Sequence, residues 1–403
     1  MPSSFLHPFS NPRRESYICI ARGEGATVWD SEGRDYVDAM ASLWYCAIGH
    51  GRSEMSDSIA SQARSLAAYS CFEPFTNGPA DRLASELCSI APKPDSRVFL
   101  CNSGSEAIDS AIKLARIAHS NSGSKQRTMI ISRGRGYHGA AYGGTSAQGI
   151  ELNRDGFGPF LPDVVQVPAD DVEALESLMA QHGETVAAVL VEPVQGAGGV
   201  HPSPHGYLDA VRRLCDQYGA FLIFDEIVTG FGRLGSWFAA EHFKVEPDLV
   251  AFAKAVTSGY QPLGGVLVGP AVRMGLEFNG DFVLRHGFTY SGHPVACAAA
   301  LTNLEIIRRE QLLQRADYIG TKLTSGLRAL ADEHKIDHVR GAGAVWAAGL
   351  RPDQDAAEIR DRMLARGVIC RASNASTLAF CPPLVISDAQ IERIVEVLTD
   401  AVG

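Results

Sequence analysis

Short apolar runs punctuate this chain from about residue 97 onward: RVFLC (97–101), TMIIS (128–132), AAVLV (187–191), FLIFD (221–225), LVAFA (249–253) and GVLVG (265–269). Each is short for a helix and rich in β-branched or aromatic residues, so each predicts a strand buried on both faces. Between several of them the apolar positions take a helical spacing, as in SEAIDSAIKLARIAH (105–119) and LDAVRRLCDQYG (208–219). Strands alternating with helices predict a mainly parallel sheet flanked by helices, with right-handed crossovers.

The pattern differs on either side of that core. Residues 15–40 read as a small hairpin, with Gly33 in the turn. The last hundred residues hold a long helical stretch (295–334), strand-like VWAAGL (345–350), a charged helix (354–366) and GVICRA (367–372). The expected architecture is α/β: a large domain with a mainly parallel sheet flanked by helices, plus a smaller α+β domain. An N-terminal segment (1–50) with the hairpin should pack with the small domain (295–403), and the large domain should span 51–294. Neither an internal repeat nor a low-complexity linker separates them, so tight docking is expected.

Composition narrows the function classes. A chain of 403 residues suggests two or three domains, and its 46% hydrophobic content is that of a globular protein. A net charge of −10 without a basic cluster argues against nucleic acid as partner. Nine cysteines occur without a C-x-x-C, so no zinc ribbon or thioredoxin-type motif is present. Cys19, Cys46, Cys88, Cys101 and Cys215 lie in apolar contexts and read as reduced, buried thiols. The N-terminus lacks the apolar core of a signal peptide, and no apolar run is long enough to span a membrane. A cytoplasmic protein with no membrane partner is expected.

The chemistry concentrates at strand ends. The run from Phe221 delivers Asp225, and the run from Leu249 delivers Lys254. Open α/β sheets bind ligands at the carboxyl ends of their strands, so acid and amine should meet there. Such a pair suits pyridoxal 5'-phosphate (PLP): the amine takes the aldehyde and the acid holds the ring nitrogen protonated. Alone, an Asp and a Lys after two strands are more often solvated loop residues. The neighbouring motifs tilt the balance. Ser103-Gly104-Ser105 opens the helix at 105–119, where backbone N–H groups can seat a phosphate. Ser103 with Glu106 also reads as a plain helix cap, and both readings can hold. RGRGYHG (133–139) contains a G-x-G-x-x-G, but no aliphatic helix follows and no acid ends a later strand, so a dinucleotide fold is disfavoured. Tyr137 within it could stack on a flat ring. Glu192 ends a strand before GAGG, and Thr289 offers a hydroxyl in a glycine-bracketed loop. His286 and His293 flank that loop without metal-ligand spacing, so no metal site is expected.

Taken together, NSGSEA, YHG, EPVQGAGG, DEIVTGFGR, AKAVTSGYQPLG and GFTYSGHP resemble, in content and order, the class III (omega-) aminotransferases, PLP enzymes of fold type I. The resemblance spans SLWYCAIGHG (42–51) to CPPLVIS (381–387). It implies that Lys254 binds the cofactor covalently and shuttles a proton, and that Asp225 pairs with the pyridinium nitrogen. Ile227 and Tyr137 would cover the two ring faces, Ser103, Gly104 and Ser105 would seat the phosphate, and His138 and Glu192 would complete the cofactor shell. Thr289 would reach the phosphate of a neighbouring subunit, so a homodimer or higher homo-oligomer with shared sites is implied. Trp44 and Tyr45 would line the substrate side, and Arg371 is the positional match for an arginine that clamps a substrate carboxylate. The implied reaction moves an amino group from an omega-amine or omega-amino acid to a keto acid, with pyruvate favoured by GAGG after Glu192-Pro193, in a ping-pong cycle. An aminomutase, racemase or decarboxylase on the same fold is the alternative, and an NAD-binding enzyme or nucleotide-binding module a remoter one.

Overall fold

The computed structural model describes residues 4–403, so the first three residues of the N-terminal segment lie outside it. Strands β1 (Ile20–Glu24), β2 (Thr27–Asp30) and β3 (Asp35–Asp38) form an antiparallel ladder, one strand more than the expected hairpin. Gly33 makes the β2–β3 turn at φ +86°, where a side chain would be strained. Cys19, expected buried, is exposed because it precedes the edge strand β1.

The large sheet takes β4 (Arg97–Cys101), β5 (Met129–Arg133), β6 (Val164–Val167) and β7 (Val186–Val191). After a two-residue ladder of β8 (Val194–Gln195) with β9 (His201–Pro202), it continues with β10 (Phe221–Asp225), β11 (Leu249–Phe252) and β12 (Gly264–Val268). Its order is β4-β12-β11-β10-β7-β5-β6. All pairs from β11 to β6 are parallel, whereas β12 runs antiparallel to both its neighbours. The sheet is therefore mainly parallel, as its doubly apolar runs predict.

Alternate residues supply two cores. Val189, Val191, Leu222, Phe224, Val250 and Phe252 join a cluster containing Leu208, Val211 and Leu214 of helix Tyr207–Tyr218. Leu190, Ile223, Ala251 and Val266 join Ile108, Ile112 and Ala115 of helix Gly104–Asn121 on the other face. The period of two along each strand sends consecutive apolar side chains into opposite layers, so neither face can be left to water.

The expected helical stretch at 295–334 is two helices, Pro294–Arg309 and Leu312–Asp332. Gln311 separates them in a left-handed backbone conformation (φ 54°) that no helix interior accommodates. Strands β13 (His338–Ala342), β14 (Val345–Gly349), β16 (Arg371–Asn374) and β17 (Thr377–Phe380) form an antiparallel sheet. The short β15 (Val368–Ile369) leaves it to pair in parallel with β3, so the C-terminal chain completes the N-terminal sheet. Among the described residues no helix is long and apolar enough to cross a membrane, and no cluster of His, Cys, Asp and Glu could hold a metal ion.

Phe252 is fully buried two residues before Lys254 and meets Phe231 edge-on at 5.8 Å. Phe252→Ala should cost about 3–5 kcal/mol, read as a lower denaturation midpoint. An unchanged midpoint would show that this layer can repack.

Candidate active site

The parallel register of β10 and β11 pairs Asp225 with Ala251, so both strands end on one edge of the sheet. Asp225 is buried there. Its Oδ2 meets His138 Nδ1 at 2.8 Å and its Oδ1 accepts the Ile227 N–H at 3.1 Å. Three residues past Ala251, Lys254 opens a short 3-10 turn at φ +51°, an uncommon conformation for a residue with a side chain. Burial pushes its ammonium below the ordinary lysine range, and Asp225, then Glu192, pull it back. Among the described residues no hydrogen bond or ion pair holds its Nζ.

Glu192 follows β7 and is buried. One carboxyl oxygen accepts the Tyr137 N–H (2.8 Å) and the other the Gly196 N–H (3.1 Å). Burial nevertheless raises its pKa to about 7; His138 opposes the rise and the Asp225 charge adds to it. The Glu192 carbonyl in turn accepts from Arg133, whose guanidinium also reaches Ser203 Oγ (3.0 Å) and Asp170 (3.0 Å). Arg133 is almost wholly buried at the end of β5. The sequence reading passed over it, although a charge directly after TMIIS was the available signal.

Tyr137 is half-buried, and burial raises its phenol. After burial, the charge of Arg371 lowers it again and those of Asp225 and Glu192 add to the rise. Arg371 lies on β16, and its charge also acts on Lys254. Its guanidinium has no hydrogen-bond partner among the described residues, and its Nε is buried without one. The His138 Nε2 is likewise buried and unpartnered. Buried nitrogens left without a partner are costly.

The expected phosphate seat lies at a capped helix start. Ser103 caps helix Gly104–Asn121, its Oγ accepting the Glu106 N–H at 3.2 Å, while Glu106 accepts the Asn102 N–H at 2.7 Å. A Cβ on Gly104 would lie 2.8 Å from Ile227 Cδ1, so the helix start and the residue after Asp225 touch. Ser105 Oγ accepts the Ala140 N–H (3.0 Å), docking the loop of Tyr137 and His138 onto the same helix. The G-x-G-x-x-G is thus a strand-to-loop connection, and its Gly139, at φ +93°, abuts Ser105.

Asp225, Ile227, His138, Tyr137, Glu192, Lys254, Arg371 and the Gly104 helix start therefore converge. Trp44 is buried in a cluster with Met40, Val194, Leu234 and Cys381, and Tyr45 lies half-buried against Gly259 in the Lys254 turn. Thr289 stands apart: it is exposed and makes no hydrogen bond among the described residues. A cavity of about 750 Å³ elsewhere, between the Gly104–Asn121 helix and residues 279–286, contains none of the convergent residues.

A buried acid, a depressed amine at the adjoining strand end and a glycine-opened helix start fit the nitrogen, aldehyde and phosphate of PLP, and so define a PLP enzyme. The profile of the family "Aminotransferase class-III" matches residues 9–402. The chain is 35% identical to an omega-aminotransferase of Caulobacter vibrioides, covering 99% of this chain and 97% of the relative. It is also 35% identical to a putrescine–pyruvate aminotransferase of Pseudomonas aeruginosa, covering 93% and 88%. Among solved structures, a transaminase from a marine Virgibacillus superposes with TM-score 0.96 at 36% identity, over 99% of this chain and 96% of that one. An omega-transaminase of Pseudomonas jessenii in complex with PMP gives 0.94 at 33%, over 98% and 95%. This chain belongs to the class III aminotransferases: a PLP-dependent transaminase of fold type I.

The raised Glu192 pKa has a thermodynamic sign. Between about pH 4.5 and 7 the folded state binds more protons than the unfolded chain, so this residue's contribution to stability falls as pH rises through that window and levels off above it. In the cofactor-free protein, Glu192→Gln should flatten the decline in melting temperature between pH 5 and 8. Parallel melting profiles for the two proteins would contradict the assignment.

Proposed function

We propose that the enzyme transfers an amino group from an omega-amine or omega-amino acid to pyruvate in a ping-pong cycle. Arg371 carries the reading: an unpaired guanidinium whose charge acts on Tyr137 and Lys254 suits a keto-acid carboxylate in one half-reaction and tolerates a donor without an α-carboxylate in the other. Relatives named for putrescine with pyruvate and for β-alanine with pyruvate favour that pairing, although another is named for diaminobutyrate with 2-oxoglutarate.

When bound, PLP supplies the electron sink for bond-breaking at the amine carbon. Lys254, its ammonium weakened by burial, is the residue that would hold the cofactor's aldehyde, and its Nζ would hold and move a proton. Asp225 would keep the ring nitrogen protonated, and His138 and the Ile227 N–H fix its carboxylate. Gly104, with Ser103 and Ser105, would bind the phosphate. Ile227 and Tyr137 would cover the ring, and Glu192 anchors the Tyr137 loop. Trp44 and Tyr45 bound the donor side. Thr289 serves the site of a second copy, which its exposure beside the exposed Tyr290 supports, so the active unit is a homodimer or larger. Nine free cysteines suit a reducing compartment, the cytoplasm.

Lys254→Ala should keep the fold and some bound cofactor, released by dialysis and not fixed by borohydride, with turnover lower by about 10²–10⁴-fold. Near-normal turnover would remove Lys254 from the mechanism. Arg371→Leu should raise KM for pyruvate about 10–100-fold, the loss of one charge-assisted bond, and leave KM for 1-phenylethylamine little changed. Amine turnover with no keto acid present would favour a racemase or mutase instead.

A further inference from the structure

The chain after β3 has an improbable backbone. Ala41, Ser42 and Trp44 lie at φ 45°, 59° and 69°, which side-chain-bearing residues adopt only where the surroundings impose it. Asp38, buried at the end of β3, does the imposing. Its Oδ1 accepts the Met40 N–H (3.0 Å) and its Oδ2 the Ser42 N–H (2.7 Å). The same Oδ2 accepts from His50 Nε2 (2.8 Å), and His50 Nδ1 faces the Cys46 thiol at 3.5 Å. An ionised carboxylate only accepts, so Nε2 carries the proton and Nδ1 receives the S–H. Cys46 is buried; that burial, then the Asp38 charge, pushes its thiol up and keeps it protonated. Cys46, His50 and Asp38 thus have the order of a nucleophilic triad without its reactivity. They form a brace.

The loop this brace shapes is clipped to both walls of the site. The Ala39 and Ala47 carbonyls accept the N–H groups of Cys381 (2.7 Å) and Leu384 (2.8 Å). The Gly49 carbonyl accepts the Tyr260 hydroxyl (2.9 Å), and the Ile48 N–H reaches Ser258 Oγ (3.3 Å), both in the segment that follows Lys254. A Cβ on Gly259 would lie 2.4 Å from the Tyr45 ring, so the ring rests on the backbone of that segment. Met40 and Trp44 share a cluster with Cys381, whose thiol is among the groups acting on Lys254. Ser42 and Leu43 remain exposed.

Given the transaminase chemistry proposed above, we infer that Asp38 and His50 are positioning residues that set which amine donors fit, by holding the strained Ala41–Tyr45 loop against the Lys254 turn. Loosening the brace changes the shape of the donor pocket while leaving Asp225, Lys254 and the phosphate seat in place.

The test compares holoenzymes of the wild type, Asp38→Asn, His50→Gln, Cys46→Ala and Cys46→Ser. For each, kcat and KM are measured with β-alanine (small) and 1-phenylethylamine (bulky) against pyruvate, beside the cofactor absorbance spectrum and amide hydrogen exchange over residues 40–46. In Asp38→Asn and His50→Gln the ratio of kcat/KM between the two donors should shift by about tenfold or more, through KM. The spectrum should stay unchanged and exchange should accelerate within 40–46. Cys46→Ser, which restores a donor to His50, should keep the wild-type ratio. An unchanged ratio, an equal fall for both donors, or unchanged exchange would overturn the inference. If Asp38→Asn does not fold, wild-type ratios in both His50→Gln and Cys46→Ala overturn it instead. A wild type inert toward both donors would sink the proposed function separately, while the exchange data still report on the brace.

Discussion

An acid and an amine held out of water at the end of one mainly parallel sheet organise this protein. Asp225 is buried and Lys254 is weakened by burial, so each depends on the other and on groups drawn from distant parts of the chain. Removing an ionised group from water is expensive unless partners replace the solvent. Here the replacements come from three directions: His138 from the loop after β5, the backbone N–H of Ile227, and Glu192 from the end of β7. The sheet order places β10 between β11 and β7, so these groups arrive at one edge without any long excursion.

The surroundings of that edge are crowded backbone more than crowded side chains. Gly104 meets Ile227, Gly139 meets Ser105, and Gly259 meets Tyr45, each too closely for a Cβ to fit without movement. Small residues therefore bring three loops within reach of one ligand, and the strain they avoid reappears at Lys254, Ala41, Ser42 and Trp44. Strained backbone persists only where packing and hydrogen bonds over-determine it. Asp38 at one end of its loop and the β10–β11 register under Lys254 are those determinants.

Burial also divides the labour among the acids. Asp225 has a histidine partner, whereas Glu192 has only backbone N–H donors, and its pKa rises to about 7. The Asp225 charge opposes the ionisation of Glu192, so the site holds its negative charge most readily when cations share it. Lys254 and Arg371 are the cations the chain provides, and neither side chain makes a hydrogen bond to protein among the described residues.

The sequence by itself determined most strands of the large sheet, because short apolar runs between helical stretches need cover on both faces, and it determined the candidate acid and amine, because chemistry follows the runs. It also carried the helix start at Ser103, where capping residues and a glycine declare a terminus. The reversed strand β12, the break at Gln311 and the pairing of β15 with β3 had no local signal, since each depends on partners far along the chain. For the same reason the His138–Asp225 bond, the contact of Arg133 with the Glu192 carbonyl and the Asp38–His50–Cys46 brace belonged to the tertiary structure alone. A side chain's type announces what it can do, but its burial and partners are decided only when the sheet closes.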